Sequence, residues 1–254
     1  MHEKTDKPVL VTGATGYVAG RLIPLLLDAG YRVRAMGRTI AKMTGRPWGR
    51  DDNVELVTGD IMDTGSLQKA VAGCGTIYYL VHSMISRKGA YRDADKTGAA
   101  NMVRAAADQG AEHIIYLGGL GDIHHRQISR HLVSRNEVGN ILQSGPVPAT
   151  VLRAAMILGS GSASFEILRY LAERLPIMIT PKWVRMPTQP IAVTNVLGYL
   201  KGCLEHPETR GRTFDIGGPD IVSYKDLFAI FARQAGLPAP VMIPVPVLTP
   251  RLSS

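Results

Sequence analysis

Cysteine and the larger aromatics are scarce: two cysteines, two tryptophans and four phenylalanines in 254 residues. Cys74 and Cys203 lie far apart with no paired spacing, which excludes a disulfide framework and a zinc ribbon, so both read as reduced structural thiols. No apolar run approaches the roughly 20 residues of a membrane span, and the polar start MHEKTDKPVL runs straight into a strand, unlike a secretory signal. The expected compartment is therefore cytoplasmic. Blocks of like charge are missing too. The net charge of +8 is spread along the chain, which reads as a solvated basic surface and not as a nucleic-acid footprint. His124 and His125 are adjacent but have no third ligand at useful spacing, so no metal is expected.

What is present is alternation. Strand-like runs at 8–13, 31–37, 54–59, 76–81, 113–119 and 149–155 are separated by helical patterns at 16–30, 64–73, 93–110 and 129–144. In the first helix Val18, Leu22, Leu25 and Leu26 recur at helical spacing, and Gly30 is placed to stop it. Pro24 is a local conflict, because it removes the bond to the Gly20 carbonyl and crowds it. Regular strand–helix alternation predicts an α/β fold of the Rossmann type, a doubly wound parallel sheet with helices on both faces. After 156 the rhythm loosens, with no linker composition before it. The expectation is one NAD(P)-binding domain over 1–254, with 1–155 the cofactor-binding core and 156–254 a smaller C-terminal lobe. The tail at 238–254, PAPVMIPVPVLTPRLSS, is apolar and Pro-rich. It must lie against this chain, another subunit of a homo-oligomer, or a further C-terminal domain.

The strongest local signal is T-G-A-T-G-Y-V-A-G at 12–20, between a strand and a helix. Gly13 permits the tight turn and Gly16 lets the backbone approach a pyrophosphate. The helix that follows points its unpaired N–H groups and positive dipole end at that anion. Thr15, Tyr17 and Val18 fall in the same cradle, and Ala19 takes the third small position. The second strand ends A-M-G-R-T, so Arg38 and Thr39 stand where a carboxylate would bind the ribose of NAD. A guanidinium matches a 2′-phosphate, with Arg34 and Lys42 adding to the field, and NADP(H) is therefore preferred over NAD(H). The alternative is an Arg38 that points to solvent. Asp60 is placed for the adenine amine and Ile61 for the ring face, while Asp63 is the better cap for the next helix.

Together with Y-Y-L-V-H-S-M at 78–84, I-I-Y-L-G-G-L-G at 114–121 and F-D-I-G-G-P-D at 214–220, this cradle resembles the short-chain dehydrogenase/reductase superfamily in its extended and atypical branch. Within that branch it looks most like NAD(P)H-binding proteins akin to the nitrogen-metabolite-repression regulator and the 39-kilodalton subunit of complex I. The resemblance implies a serine after the fifth strand and a Tyr-x-x-x-Lys pair on the next helix. Here the strand ends in Gly118 and Gly119, and the helix offers His131 and Arg135 in the two slots. Arg135 can hold ribose hydroxyls as a cation but cannot shuttle a proton. His131 can act as an acid or base near neutral pH, or be a partly exposed helix histidine. Val81, His82 and Ser83, after the fourth strand, fall on the nicotinamide side, where Ser83 bonds cofactor or substrate. Ala154 and Ala155 supply backbone and shape there.

Loops at Met84–Tyr91, Gly159–Phe165 and Trp183–Thr188 carry apolar content that suits a small apolar molecule as substrate or effector. Two readings remain open. One is an NADP(H)-dependent oxidoreductase of a carbonyl, enone or quinone-like compound. The other is a non-catalytic NADP(H)-binding sensor, regulator or assembly subunit.

Overall fold

The computed structural model describes residues 6–81, 90–121 and 130–244. The first half alternates β1 (Val9–Thr12), α1 (Ala19–Asp28), β2 (Val33–Gly37), α2 (Ile40–Thr44), β3 (Val54–Thr58), α3 (Thr64–Val71), β4 (Thr76–Tyr79), α4 (Ala90–Asp108), β5 (His113–Gly119), α5 (Arg130–Gln143) and β6 (Ala149–Ala154). The remainder holds β7 (Ile157–Leu158), α6 (Ala163–Arg174), β8 (Ile177–Thr180), β9 (Pro187–Thr188), β10 (Ile191–Ala192), α7 (Val193–Glu205), β11 (Thr213–Ile216), β12 (Val222–Ser223), α8 (Tyr224–Gln234) and β13 (Val241–Pro244).

Seven strands form one sheet in the order β11-β6-β5-β4-β1-β2-β3, and every pairing in it is parallel. Strands buried on both faces read as unbroken apolar runs, which is why VLVT and TIYY are buried at every position. Leu10, Ile77 and Ile114 from three adjacent strands share a core with Leu67, Met102 and Leu142 from α3, α4 and α5. The strand order reverses at β1, whose neighbours are β2 and β4. A crevice for a ligand opens at such a reversal, outside the carboxyl ends of the strands.

Two compact units divide the chain. The sheet unit comprises 1–154 and 195–216; the second comprises 155–194 and 217–254. Most of α7 and all of β11 thus return to the sheet unit, a re-entry that the loosened pattern after 156 does not reveal. The Tyr78 hydroxyl, fully buried under the sheet, donates to the Leu200 carbonyl of α7 at 2.9 Å. The second unit has its own core of Leu168, Ala172, Met178, Leu227 and Phe228. Ser162 caps α6, its hydroxyl accepting from the Phe165 N–H at 3.2 Å, and Ser223 with Asp226 forms a capping box on α8.

The proline conflict in α1 has a physical answer. The Gly20 carbonyl that Pro24 leaves without its helical partner accepts instead from the indole N–H of Trp48 at 3.2 Å. Trp48 is itself buried. One bond thereby satisfies a helix carbonyl and a buried indole, each of which costs about 1–3 kcal/mol if left unmade.

A second buried polar chain ties β5 to β6. The Thr150 hydroxyl donates to the Thr209 carbonyl at 2.7 Å, so it accepts from His113 Nε2–H, also at 2.7 Å. Burial, and secondarily the Arg210 charge, pushes the His113 imidazole down to about 4. Because an unfolded-chain histidine titrates near ~6.5, the unfolded state binds the extra proton first. The contribution of His113 is therefore complete above about pH 6.5 and is lost as pH falls toward 4, at most about 3 kcal/mol. Urea unfolding of the wild type and of His113→Gln at pH 7 and pH 4.5 should show the larger loss of stability in the wild type. Equal losses would mean the histidine is not held neutral.

Candidate functional site

At the strand reversal, the Thr12 hydroxyl donates to the Tyr78 carbonyl and accepts from the Leu80 N–H, both at 3.0 Å. This latches the end of β1 to the end of β4. The next residue, Gly13, turns the chain at φ +64°, and a Cβ there would lie 3.2 Å from the Leu80 carbonyl oxygen. Only glycine meets both demands. At Gly16 a Cβ would lie 3.0 Å from the Gly13 carbonyl oxygen.

The turn uses few of its donors. The Ala14 N–H bonds the Met36 carbonyl and the Gly16 N–H bonds the Gly13 carbonyl, whereas among the described residues the amides of Thr15, Tyr17 and Val18 have no backbone partner. No side chain caps α1. The Tyr17 hydroxyl is buried without a hydrogen-bond partner. Open amides at a helix start, an unpartnered hydroxyl and glycines that keep the backbone bare fit the pyrophosphate of a dinucleotide. Gly13, Thr15, Gly16, Tyr17 and Val18 therefore stand together. Val81 is half-buried and its Cγ2 comes within 3.5 Å of a Cβ built on Gly13.

The cations around this turn sort into structural and available. Arg34 is spent: its Nε donates to Glu55 at 2.7 Å, and its Nη1 to the carbonyls of Ala70 and Ala72 at the end of α3. It does not add to a 2′-phosphate field, as the sequence led us to expect. Arg38 and Lys42 are exposed, and Arg38 has no partner among the described residues. Thr39 is the extended N-cap residue of α2, exposed and without a side-chain cap bond. Arg46, which sequence reasoning passed over, donates from Nη2 to the Thr15 carbonyl at 2.7 Å and so pins the turn from outside. The only hint was a run from 38 to 50 with four cations and no acid. Arg21 lies 4.0 Å above the Tyr17 ring.

At the end of β3, Asp63 caps α3 by accepting from the Gly65 N–H at 3.1 Å. Asp60 accepts from the Met62 N–H through one oxygen. Ile61 is in the core. Its Cδ1 comes within 2.5 Å of a Cβ built on Gly98 of α4, so its side chain is committed to that helix and is not available to an adenine face.

Where the resemblance calls for serine, a side chain would need its neighbours to shift. A Cβ on Gly119 would come within 2.7 Å of Leu132 Cδ2 and 3.0 Å of Arg135 Cδ, and one on Gly118 within 3.0 Å of the Tyr116 ring. The helix α5 packs against this strand. On it, Arg135 Nε donates to His131 Nε2 at 3.0 Å, which fixes the imidazole as the Nδ1–H tautomer. Burial first, and then the Arg135 charge, lowers the His131 pKa below its ordinary value against an opposing pull from Asp95. The helix is held by the buried Ser134 hydroxyl, which donates to the buried Asp95 carboxylate at 3.0 Å, and by the Tyr116 hydroxyl, which donates to the Arg135 carbonyl at 3.2 Å.

At the end of β6, buried Ala154 accepts from the Leu120 N–H at 2.7 Å, and Ala155 opens the second unit. His82, Ser83, His124 and His125, with most of the 84–91 loop, lie outside the described residues. Phe165 of a second candidate substrate loop packs edge-on against Phe231, 5.9 Å between ring centres, beside the second unit's core. Among the described residues no three side chains could hold a metal ion, and no helix is long and apolar enough to cross a membrane.

Comparison with known proteins agrees with this geometry. A family model described as NAD(P)H-binding matches residues 13–166. A cinnamoyl-CoA reductase 1 of Oryza sativa subsp. japonica is 30% identical over 120 residues, covering 46% of this chain and 35% of that protein. A putative dihydroflavonol 4-reductase of Synechocystis sp. is 26% identical over 263 residues, covering 91% of this chain and 73% of that one. The chain thus spans about a third of the Oryza protein's length. Among solved structures, a triphenylmethane reductase of Citrobacter sp. superposes with a TM-score of 0.77 at 23% identity, over 94% of this chain and 78% of its own, a likeness of fold. The family model matches more than half of the chain, on a sheet of this order, and the chain belongs to the NAD(P)H-binding family.

Proposed function

We propose that this chain is an NADP(H)-dependent oxidoreductase acting on a small carbonyl, enone or quinone-like compound. The observation that carries the reading is the Arg135–His131 pair, set on α5 beside the end of β5. The bound nicotinamide cofactor supplies a hydride to an electrophilic carbon.

The chain's own residues do the rest. The open amides of Thr15, Tyr17 and Val18 and the Tyr17 hydroxyl hold the pyrophosphate. Arg38, with Lys42 beside it, takes a 2′-phosphate through charge-assisted bonds. His131 is neutral at pH 7, and its Nδ1–H has no partner among the described residues. It donates a hydrogen bond to the substrate oxygen, and the Arg135 charge favours the negative charge that builds there. A neutral imidazole N–H polarises an oxygen without giving up its proton, so the proton comes from water. The NADP preference rests on Arg38 with Lys42, because Arg34 is held by Glu55 and the end of α3.

A second reading, a redox-responsive binding protein, has one observation in its favour: the strand ends in Gly118 and Gly119 where the resemblance implies the serine. It requires different affinities for the reduced and oxidised cofactor, since a ligand shifts states only by differential binding. Fluorescence titration with both forms decides it, and equal affinities remove it.

Arg38→Ala should weaken NADPH binding by ~10- to 100-fold, the worth of a charge-assisted bond, and change NADH binding less than about twofold. Equal losses for both would overturn the NADP assignment. Nitrogen-detected NMR of the histidines should find His131 as the Nδ1–H tautomer, titrating below ~6.5 and moving upward in Arg135→Ala. With a panel of enones and quinones, NADPH oxidation should fall at least ~10-fold in His131→Phe, which removes the hydrogen bond, and keep more of its rate in His131→Asn, which retains a donor. Oxidation untouched by both changes would remove His131 from the site.

A further inference from the structure

The face of α5 that lies over β6 and β11 is polar where a helix on a sheet is ordinarily apolar. Asn136, Gly139, Asn140 and Gln143 follow Arg135 along this face, and they meet Arg153 of β6 and Thr213 of β11. Glycine on both sides, Gly139 on the helix and Gly118 and Gly119 on β5, keeps the space between them open. The result is a cleft of about 70 Å³, with a buried floor at Gly139 and Val151 and an exposed mouth at Asn140 and Thr213. On the scale of ~10–15 Å³ per water, this is room for several waters or one small oxyanion.

The lining is rich in donors and positive in charge. Arg153 donates from Nε and Nη2 to the two oxygens of Asp215, at 2.6 and 2.9 Å, leaving its Nη1 without a partner among the described residues. Arg135 uses only Nε, toward His131, and both of its Nη groups are likewise unpartnered there. The Asn136 amide donates to the Leu132 carbonyl at 3.2 Å, while the Gln143 amide donates to Thr213 and to the Ala149 and Gly211 carbonyls. Two guanidinium groups against one carboxylate leave the cleft one positive charge in excess. A half-buried guanidinium with spare donors is costly unless an acceptor meets it.

We propose that this cleft is a binding site for a small oxyanion, a carboxylate or phosphate group, separate from the dinucleotide cradle. The two Nη groups of Arg135 and the spare Nη1 of Arg153 suit two oxygens of one such group. The Asn140 amide, at the mouth, supplies a further donor. The cleft shares Arg135 with the His131 pair, the Nη groups facing the anion while Nε stays on the imidazole, and this couples the cleft to the site.

Thermal unfolding with inorganic phosphate, and separately with acetate, tests the proposal in the full chain. Because phosphate also suits the cradle, each titration is run with and without saturating NADPH. Saturating anion should raise the midpoint by ~2–4 °C, and the rise should persist when NADPH fills the cradle. It should fall by at least half in Gly139→Ala, whose new methyl finds ordinary contacts 3.4 Å from Val151 and 3.7 Å from Tyr116. It should vanish in Arg153→Met. Alanine favours a helix more than glycine does, so Gly139→Ala folds and keeps the test decisive if Arg153→Met does not. A rise with phosphate only points to a phosphoryl ligand, and one with acetate as well to a carboxylate. No rise with either anion, a rise abolished by NADPH, or one unchanged in Gly139→Ala would each overturn the proposal, the first meaning a cleft that holds only water.

Discussion

The site depends on the Thr12 hydroxyl at the place where the sheet reverses direction. There the backbones of β1 and β4 part, and the Thr12 hydroxyl bonds two main-chain groups of β4 and the residue after it, the Tyr78 carbonyl and the Leu80 N–H. Thr12 satisfies both from one oxygen. Serine could make the bonds but would leave the methyl's volume empty, and valine would fill the volume but orphan both groups. With the strands latched, the next residue must turn away beneath the Leu80 carbonyl, which dictates glycine at 13. The turn in turn aims the start of α1. The cradle is thus the consequence of closing a buried strand pair and not an appendage to it.

A second set of constraints holds the outer wall of the cradle. Pro24 frees the Gly20 carbonyl, Trp48 takes it, and Arg46, two residues earlier, grips the Thr15 carbonyl. The segment after α2 is therefore pinned to the helix and to the glycine turn at once. Removing the indole would release the wall and orphan the Gly20 carbonyl, which makes a helix-breaking residue part of how the cofactor turn is held.

Much of this was legible in the sequence, for identifiable reasons. Strands buried on both faces are apolar runs, and the amphipathic helices between them carry a 3.6-residue period, so the sheet could be read without tertiary information. The glycine spacing located the cradle because its cause is local. What escaped depends on distant partners. Nothing local shows that 195–216 rejoins the sheet through the buried bond from Tyr78 to Leu200. The two-residue strands β7, β9, β10 and β12 are too short for any period. Arg34 looked like a phosphate ligand because charge is visible in a sequence and its destination is not. The carbonyls at the end of α3, where a helix favours a cation, had already claimed it. Ile61 is the apolar counterpart, drawn into the core by the bare surface of Gly98.

The catalytic slots show why position on a fold and chemistry must be argued apart. In a tyrosine–lysine pair, a neighbouring positive charge lowers the pKa of a neutral acid and so makes its proton easier to give. In the His131–Arg135 pair the same charge lowers the pKa of a cationic acid, and the outcome is that the acid form is disfavoured relative to a free histidine. The hydrogen bond from Arg135 reinforces this, because it occupies the lone pair on which that proton would sit. A carboxylate such as Asp95 pulls the other way, but Ser134 already donates to it and desolvation dominates. In the reaction proposed above, the pair serves as a fixed dipole beside a cation. Such a pair suits reactions in which the hydride does the difficult work and the oxygen needs only polarising, and it suits poorly those that require an acid strong enough to expel a leaving group.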